Sequence, residues 1–330
     1  MSLDILKRAS VRRPKLITLA DTGVLSRVTE FIPTGCPPLD LIMGGGVPVG
    51  RMTEIYGDTS TGKTLLAEHI IAQTQAIGGT AALLDTETAI DADVAKVVGI
   101  NLDTLIYTNP ETVEDVYADI QELLEAKRDV DPKGLMTIVW DSVAATSSEE
   151  EIEKIRKEGL GAHTMATHAR LISTMMRVMK QEVARDRIAL IMLNQTRQNI
   201  GVMFGDKMST FGGRAIGYYS SVRLELALRG HIKDRGSVIG IEVRAYVAKS
   251  KVAPPFGKCV FPILFNVGID EPGAMLNWLK DEKIAVTRGA WTYLTLDGGK
   301  ELQFQGASWA EMYNDNRDAI LGLMYEEESE

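Results

Sequence analysis

Only two cysteines and four histidines occur among 330 residues. Cys36 and Cys259 lie far apart in the chain, and neither belongs to a CxxC pair. Neither a disulfide framework nor a thiolate zinc site is therefore expected, and both read as buried thiols in a reducing cytosol. The histidines are scattered without zinc-ligand spacing, so any metal here would be oxygen-bound. Long apolar runs are also missing: none approaches the roughly 20 residues that cross a bilayer. The opening MSLDILKRASVRRPKLI lacks the apolar stretch of a signal peptide. Internal repeats are absent, and only the acidic end is of low complexity. These absences exclude a disulfide-stapled module, a zinc protein, a helical membrane protein and a solenoid. What remains is an ordinary globular chain, expected in the cytoplasm and away from any membrane.

A net charge of −9 argues at first sight against an anionic partner, but the charge is unevenly spread. The first 16 residues hold Lys7, Arg8, Arg12, Arg13 and Lys15 against one aspartate. From Arg197 to Arg235 there are seven basic residues against three acidic ones, whereas the chain ends in EEESE. A local basic surface on an acidic protein is compatible with nucleic acid, because the field at the groove governs the encounter. A solvated face would produce the same runs, so charge alone does not decide.

A basic arm covers residues 1–30. Over residues 31–268, the strand-like runs RMTEIYG, TAALLDT, TLIYT, LMTIVWDS and IALIMLNQ alternate with helix-length stretches such as KTLLAEHIIAQTQAIG and VEDVYADIQELLEAKRD. That alternation predicts βαβ units: an α/β core with a mainly parallel central sheet covered by helices. SVRLELAL and EVRAYVAKS follow without long helices and predict antiparallel strands at the end of the sheet. In residues 269–330 the pattern changes. AMLNWLKDEKIA, WTYLTLDGGKELQFQ and SWAEMYNDNRDAILGLMY read as helix, hairpin and helix, a small C-terminal α+β domain.

GDTSTGKT at residues 57–64 matches G-x-x-x-x-G-K-[ST], between a strand-like MTEIY and an amphipathic helix. Gly57 and Gly62 let the backbone wrap so that successive N–H groups and the helix N-terminus face phosphates. Ser60, Thr61 and Leu65 share this cradle; Lys63 reaches the β- and γ-phosphates, and the Thr64 hydroxyl holds Mg²⁺. LMTIVWDS brings Asp141 to the C-terminal end of a parallel strand, where ligands sit in open α/β sheets and where a carboxylate completes the metal shell. LLDTETAID adds a carboxylate to orient or deprotonate water. Spacing alone leaves Asp85, Glu87 and Asp91 open for that role.

TRQNIGVMFGDKMSTFGG, residues 196–213, follows the strand IALIMLNQ and mixes apolar residues with four glycines in no helical or strand period. Such a segment is expected to pack on something other than its own domain.

With these pieces in order, the chain resembles the RecA family of bacterial and phage strand-exchange recombinases. EIYGDTSTGKT, DTETAID, IVWDSVAA, LNQTRQNIGVMFG, GGRAIGYYSSVRLEL and VAKSKVAPPF match that family's blocks in order and near their spacing, over residues 31–268. The resemblance implies a RecA-type ATPase core using ATP and Mg²⁺. Glu87 takes the position of the catalytic glutamate, acting with Lys63 and with Gln195, the glutamine that senses the γ-phosphate. Asp91 falls among the nucleotide contacts. Lys249 and Lys251 match paired lysines that reach the nucleotide of a neighbouring subunit. Val94 stands where the family places a tyrosine against adenine, which leaves Phe265 to cover the base.

By the same resemblance, residues 196–213 are the second DNA-binding loop, and EIEKIRKEGLGAHTM with the following helix forms the first. The implied DNA contacts are Met165, Arg170, Ser173, Arg177, Arg197, Ile200, Gly201, Gly212, Gly213 and Arg214. Arg170 and Arg177 lie seven apart on one helix face with Ser173 between them. Glycines admit phosphates closely, and Ile200 and Met165 wedge between bases without reading sequence. The implied partners are single- and double-stranded DNA, further copies of the chain in a helical filament, and single-strand-binding and mediator proteins, inside a bacterial or phage-infected cell. A ring helicase on the same ATPase fold is the alternative, disfavoured by the AKSK pair and by the loop after Gln195.

Overall fold

The computed structural model describes residues 28–159, 165–198 and 208–325. The first elements form a small clasp, in which β1 (Phe31–Ile32) pairs with β2 (Val47–Pro48) across α1 (Pro37–Met43). The core follows as β3 (Arg51–Gly57), α2 (Lys63–Ala76), β4 (Thr80–Asp85), α3 (Ala92–Val98), β5 (Ile106–Thr108), α4 (Val113–Val130) and β6 (Met136–Asp141). Next come α5 (Glu149–Glu158), α6 (Met165–Arg185), β7 (Ile188–Gln198), β8 (Met208–Thr210) and α7 (Arg214–Tyr219). The long hairpin β9 (Val222–Asp234) and β10 (Ser237–Ser250) leads to β11 (Lys258–Leu264) and β12 (Gly268–Ile269).

Among the described residues the central sheet runs β12-β11-β10-β9-β3-β7-β6-β4-β5, with β8 paired to β7. From β9 through β5 the pairings are parallel, and from β9 outward to β12 they are antiparallel, as the run of strands without long helices predicts. Alternation along the strands sorts side chains into two layers. Val139, Ile191, Leu193 and Ile55 pack with Leu66, Ile70 and Ile71 of α2 on one face. Ile138, Trp140, Leu190 and Met192 pack with α4 and α6 on the other. The two covering helices carry matching stripes: Val116, Ile120 and Leu124 at intervals of four, and Ile172, Met175, Met179 and Val183 on α6. A capping box between Thr112 and Asp115 fixes where α4 starts.

Beyond β12 lie α8 (Glu271–Asp281), a three-stranded antiparallel sheet of β13 (Ala285–Arg288), β14 (Trp291–Thr295) and β15 (Glu301–Phe304), then α9 (Trp309–Asp315) and α10 (Arg317–Gly322). This part has its own apolar cluster around Met275, Leu279, Phe304, Trp309 and Tyr313. It differs from the sequence expectation in two places. The helix expected over AMLNWLKDEKIA stops at Asp281, the chain turns at Lys283 with φ +61°, and AVTR becomes a third strand on the hairpin. The last helix is broken at Asn316, whose φ of −125° lies outside the helical range. The expected boundary at residue 268 falls within β12. There Ile269 pairs with Ile263, and α8 sends Ala274 into the core layer.

Candidate functional site

Four parallel strands end side by side, with Gly57 opposite Gln195 and Asp85 opposite Asp141 across the sheet. The phosphate motif closes the first of these ends. Gly57 must be glycine, because a Cβ there would stand 2.1 Å from the Leu226 carbonyl oxygen. Gly62, at φ +83°, opens α2 in the left-handed region and would drive a Cβ to 2.5 Å from Ile263. Ser60 is exposed at the loop tip, also at positive φ, while Thr61 turns inward and donates to the Asp58 carbonyl at 2.9 Å. Lys63 folds back so that Nζ donates to the carbonyls of Gly57 at 3.1 Å and Asp58 at 2.7 Å. Burial lowers its pKa, with Asp141, Glu87 and Asp58 acting in the opposite direction. Leu65 is half-buried in the first turn of α2.

The metal residues proposed from the sequence meet directly: Thr64 Oγ1 donates to Asp141 Oδ2 at 2.8 Å. Asp141 is 4% exposed, and burial followed by the charges of Glu87 and Asp85 pushes its carboxyl up to about 6, against the lowering effect of the Thr64 hydrogen bond. Glu68, one helical turn beyond Thr64, is pushed up to about 7 by burial, with Asp141 and Asp91 adding to it. Such crowded, poorly solvated oxygens suit a hard divalent cation, whose charge would relieve the repulsion.

The three carboxylates left open by spacing separate by geometry. Asp85 is buried and accepts backbone N–H groups from Glu87, Ala89 and Ile90, so it shapes the loop after β4. Asp91 is the N-cap of α3, its Oδ1 accepting from Asp93 N at 2.8 Å and Val94 N at 3.2 Å. Glu87 alone turns toward Gln195, whose Nε2 donates to Glu87 Oε1 at 3.4 Å, and the Ser142 hydroxyl donates to the same oxygen. Val94 is half-buried on α3. Phe265 lies in the turn after β11, on the same sheet edge as the phosphate loop, and is 54% exposed.

Lys249 and Lys251 stand elsewhere. Lys249 pairs with Arg223, and Arg223 with Glu54, so the lysines lie toward the opposite end of the sheet from this chain's own phosphate loop. Lys249 Nζ donates to the carbonyls of Gly217, Tyr218 and Ser220 at the C-terminal end of α7. Burial, then Lys251 and Arg223, bring its pKa down to about 8. Lys251 is exposed.

The DNA residues proposed from the sequence converge in part. A groove of about 420 Å³ runs between α6 and α7, lined by Arg170, Ser173, Gly212 and Tyr218 among others, so the two separate segments share one surface. Arg177 is exposed further along α6. Arg197 lies 5.7 Å over the Phe211 ring. Met165 opens α6, Gly213 precedes α7, and Arg214 is its first residue. Ile200 and Gly201 lie outside the described residues, as do the N-terminal arm before residue 28 and the acidic end.

Sequence reasoning missed Ser142, Glu68, Asn194 and the hydrogen bond from Thr196 Oγ1 to Asp58 Oδ1, which ties the segment after Gln195 to the phosphate loop. Ser142 and Asn194 each adjoin a residue that was singled out, and that adjacency was the available signal. Glu68 sits on the apolar face of α2 without any local cue.

Residues 12–270 match the RecA N-terminal domain family. Among similar proteins, Protein RecA of Paramagnetospirillum magneticum is 40% identical over 80% of this chain and 71% of its own length. Protein RecA of Herpetosiphon aurantiacus is 40% identical over 88% of this chain and 78% of its own. Protein RecA of Allochromatium vinosum is 40% identical over 84% and 77%. With the family matched over most of the chain and these relatives aligned across the core, the chain belongs to the RecA family.

Proposed function

We propose that this chain is an ATP-dependent DNA recombinase, which assembles on single-stranded DNA and pairs it with a homologous duplex while hydrolysing ATP. The observation that carries the reading is the contact between Gln195 and Glu87 at 3.4 Å. It joins the edge that would hold the γ-phosphate to the strand that runs directly into residues 196–213. A phosphate entering the loop would take over the Lys63 ammonium from the Gly57 and Asp58 carbonyls. Ser60, Thr61, Gly62 and Leu65 would line the phosphates, and Asp91 would meet the nucleotide through Oδ2, since Oδ1 serves the α3 cap. Thr64 and Asp141 would hold Mg²⁺, which when bound neutralises charge on the β- and γ-phosphate oxygens.

Glu87 is the proposed general base. Both of its described partners meet Oε1, which leaves Oε2 to take the proton of an attacking water. Gln195 would exchange Glu87 for the γ-phosphate, and the strand end would move with it, a switch of the kind that γ-phosphate contacts impose on other loops. Arg170, Ser173, Arg177, Arg197, Gly212, Gly213 and Arg214, with Met165, Ile200 and Gly201, would hold an extended strand by phosphate contacts and base stacking. Lys249 and Lys251 lie toward the end of the sheet away from the chain's own nucleotide edge, so a second copy would receive them, and a helical filament supplies that copy at every step. The ring-helicase alternative is not favoured beside relatives of this kind.

The test is ATP hydrolysis measured with and without single-stranded oligonucleotides of increasing length. Stimulation that grows with strand length is expected. Hydrolysis indifferent to DNA would sink the reading of residues 196–213 and leave only a nucleotide-binding core.

A further inference from the structure

Glu54 and Asn194 are both 0% exposed. Glu54 lies on β3, three residues before Gly57, and Asn194 immediately precedes Gln195 on the neighbouring strand. Asn194 Nδ2 donates to Glu54 Oε1 at 3.0 Å and to the Phe211 carbonyl at 3.0 Å. Its Oδ1 accepts the Gln195 N–H at 2.9 Å. The second Glu54 oxygen receives Arg223 Nε at 2.5 Å, and that guanidinium lies 4.6 Å over the Tyr56 ring. One amide side chain therefore bridges the base of the β7–β8 pair, where Thr196 faces Thr210 and the chain continues from β8 into Phe211. A buried carboxylate on the phosphate strand holds the bridge in place.

We propose that Asn194, held by Glu54, is the positioning residue that makes a displacement of Gln195 displace Phe211, and so couples nucleotide state to the DNA-binding segment. A buried charge is an expensive way to fill space, because well-packed apolar residues of the same volume stabilise as well or better. What apolar residues cannot do is donate to one backbone group and accept from another. Asn194 does both, accepting the Gln195 N–H and donating to the Phe211 carbonyl. Because its Nδ2 also serves Glu54, the amide cannot turn to follow Gln195 without breaking the Phe211 contact. The proposal rests on the reading of residues 196–213 as an ATP-responsive DNA segment.

The test uses the full chain and a fluorescent oligothymidine, with affinity measured in a non-hydrolysable ATP analogue with Mg²⁺ and again in ADP. Nucleotide affinity and Tm are followed alongside. The wild type is expected to bind at least tenfold tighter in the triphosphate state. Asn194→Leu should bring that ratio to within twofold while nucleotide affinity stays within twofold of wild type. Glu54→Gln, which keeps an acceptor for Asn194, should retain the ratio. The exchange pair Glu54→Gln with Asn194→Asp restores a hydrogen bond between the two side chains, but a carboxylate at position 194 cannot donate to the Phe211 carbonyl. It should therefore recover part of the Tm lost in Asn194→Asp alone and not the ratio. Recovery of both, or an Asn194→Leu protein with a wild-type ratio, would overturn the proposal and leave the network a structural one. Should Asn194→Leu fail to fold, the exchange pair decides. A wild-type protein whose DNA affinity ignores the nucleotide would overturn the functional reading itself, and the clamp with it.

Discussion

Glu87 receives its hydrogen bonds from Ser142 and Gln195 on one oxygen, so replacing the other by an amide nitrogen removes the base and leaves that cluster in place. Glu87→Gln is accordingly expected to keep nucleotide affinity and lose hydrolysis by about 10²- to 10⁴-fold, the usual contribution of a positioned base. Steady-state hydrolysis beside a nucleotide-binding titration checks this, and wild-type turnover would remove Glu87 from the role. His69 gives a second prediction. Its Nε2 accepts the Ile269 N–H at 2.9 Å, and burial lowers its pKa from 6.5 to about 4. The unfolded chain takes up this proton near 6.5 and the folded chain only near 4. The stability it contributes is thus complete above pH 6.5 and is lost as pH falls through 4, a difference on the order of 3 kcal/mol. Asp40, Glu68 and Asp141 act with the opposite sign, since burial raises all three. The informative measurement is therefore Tm against pH for wild type and His69→Gln, with a flatter acid limb expected in the variant. Residues 57–64 were legible in the sequence because phosphate binding is a local demand on one loop. Glu54, Asn194 and Glu68 were not, because each takes its meaning from partners or neighbouring charges many residues away.

Asp91, proposed as a nucleotide contact, is also the N-cap of α3. Asp91 caps it through Oδ1, and Asp91→Ala should cost about 1 kcal/mol of stability by orphaning the Asp93 and Val94 N–H groups. Asp91→Ser restores the cap but lacks the second oxygen. Thermal denaturation of both variants, with nucleotide affinity measured on the serine form, separates the roles. Restored Tm with weakened ATP binding is the expected pair, and undiminished ATP binding would make Asp91 a cap alone. Elements with strong periods were legible: the buried strands β3, β4, β6 and β7, the stripe of α4, and the change to antiparallel pairing after β9. Those that were not had short or mixed patterns. β13 holds four residues, with only Ala285 buried, so its sequence carries no stripe. The break between α9 and α10 depends on Asn316, which takes a hydrogen bond from Lys300 and donates to Met312, contacts that no local pattern announces.

Across the whole molecule, the charge distribution makes a claim that no single element does. Arg197 and Arg214, from the basic run Arg197 to Arg235, belong to the surface proposed for DNA, while four of the last five residues are glutamate. Removing residues 326–330 takes the net charge from −9 to −5, the difference being those four glutamates. If this end competes with DNA for the basic surface, its loss should tighten binding to single-stranded DNA at low salt. The advantage should shrink as salt rises, because screening shortens the reach of charge from about 10 Å at 0.1 M to about 3 Å at 1 M. Direct DNA contacts, by contrast, keep their own dependence, set by the number of phosphates neutralised. Binding isotherms of the full and shortened chains across a salt series should therefore differ most at the dilute end and converge at the concentrated end. Parallel lines would mean that the acidic end changes affinity by a route other than competition, and coincident lines would mean that it does not act on DNA binding at all.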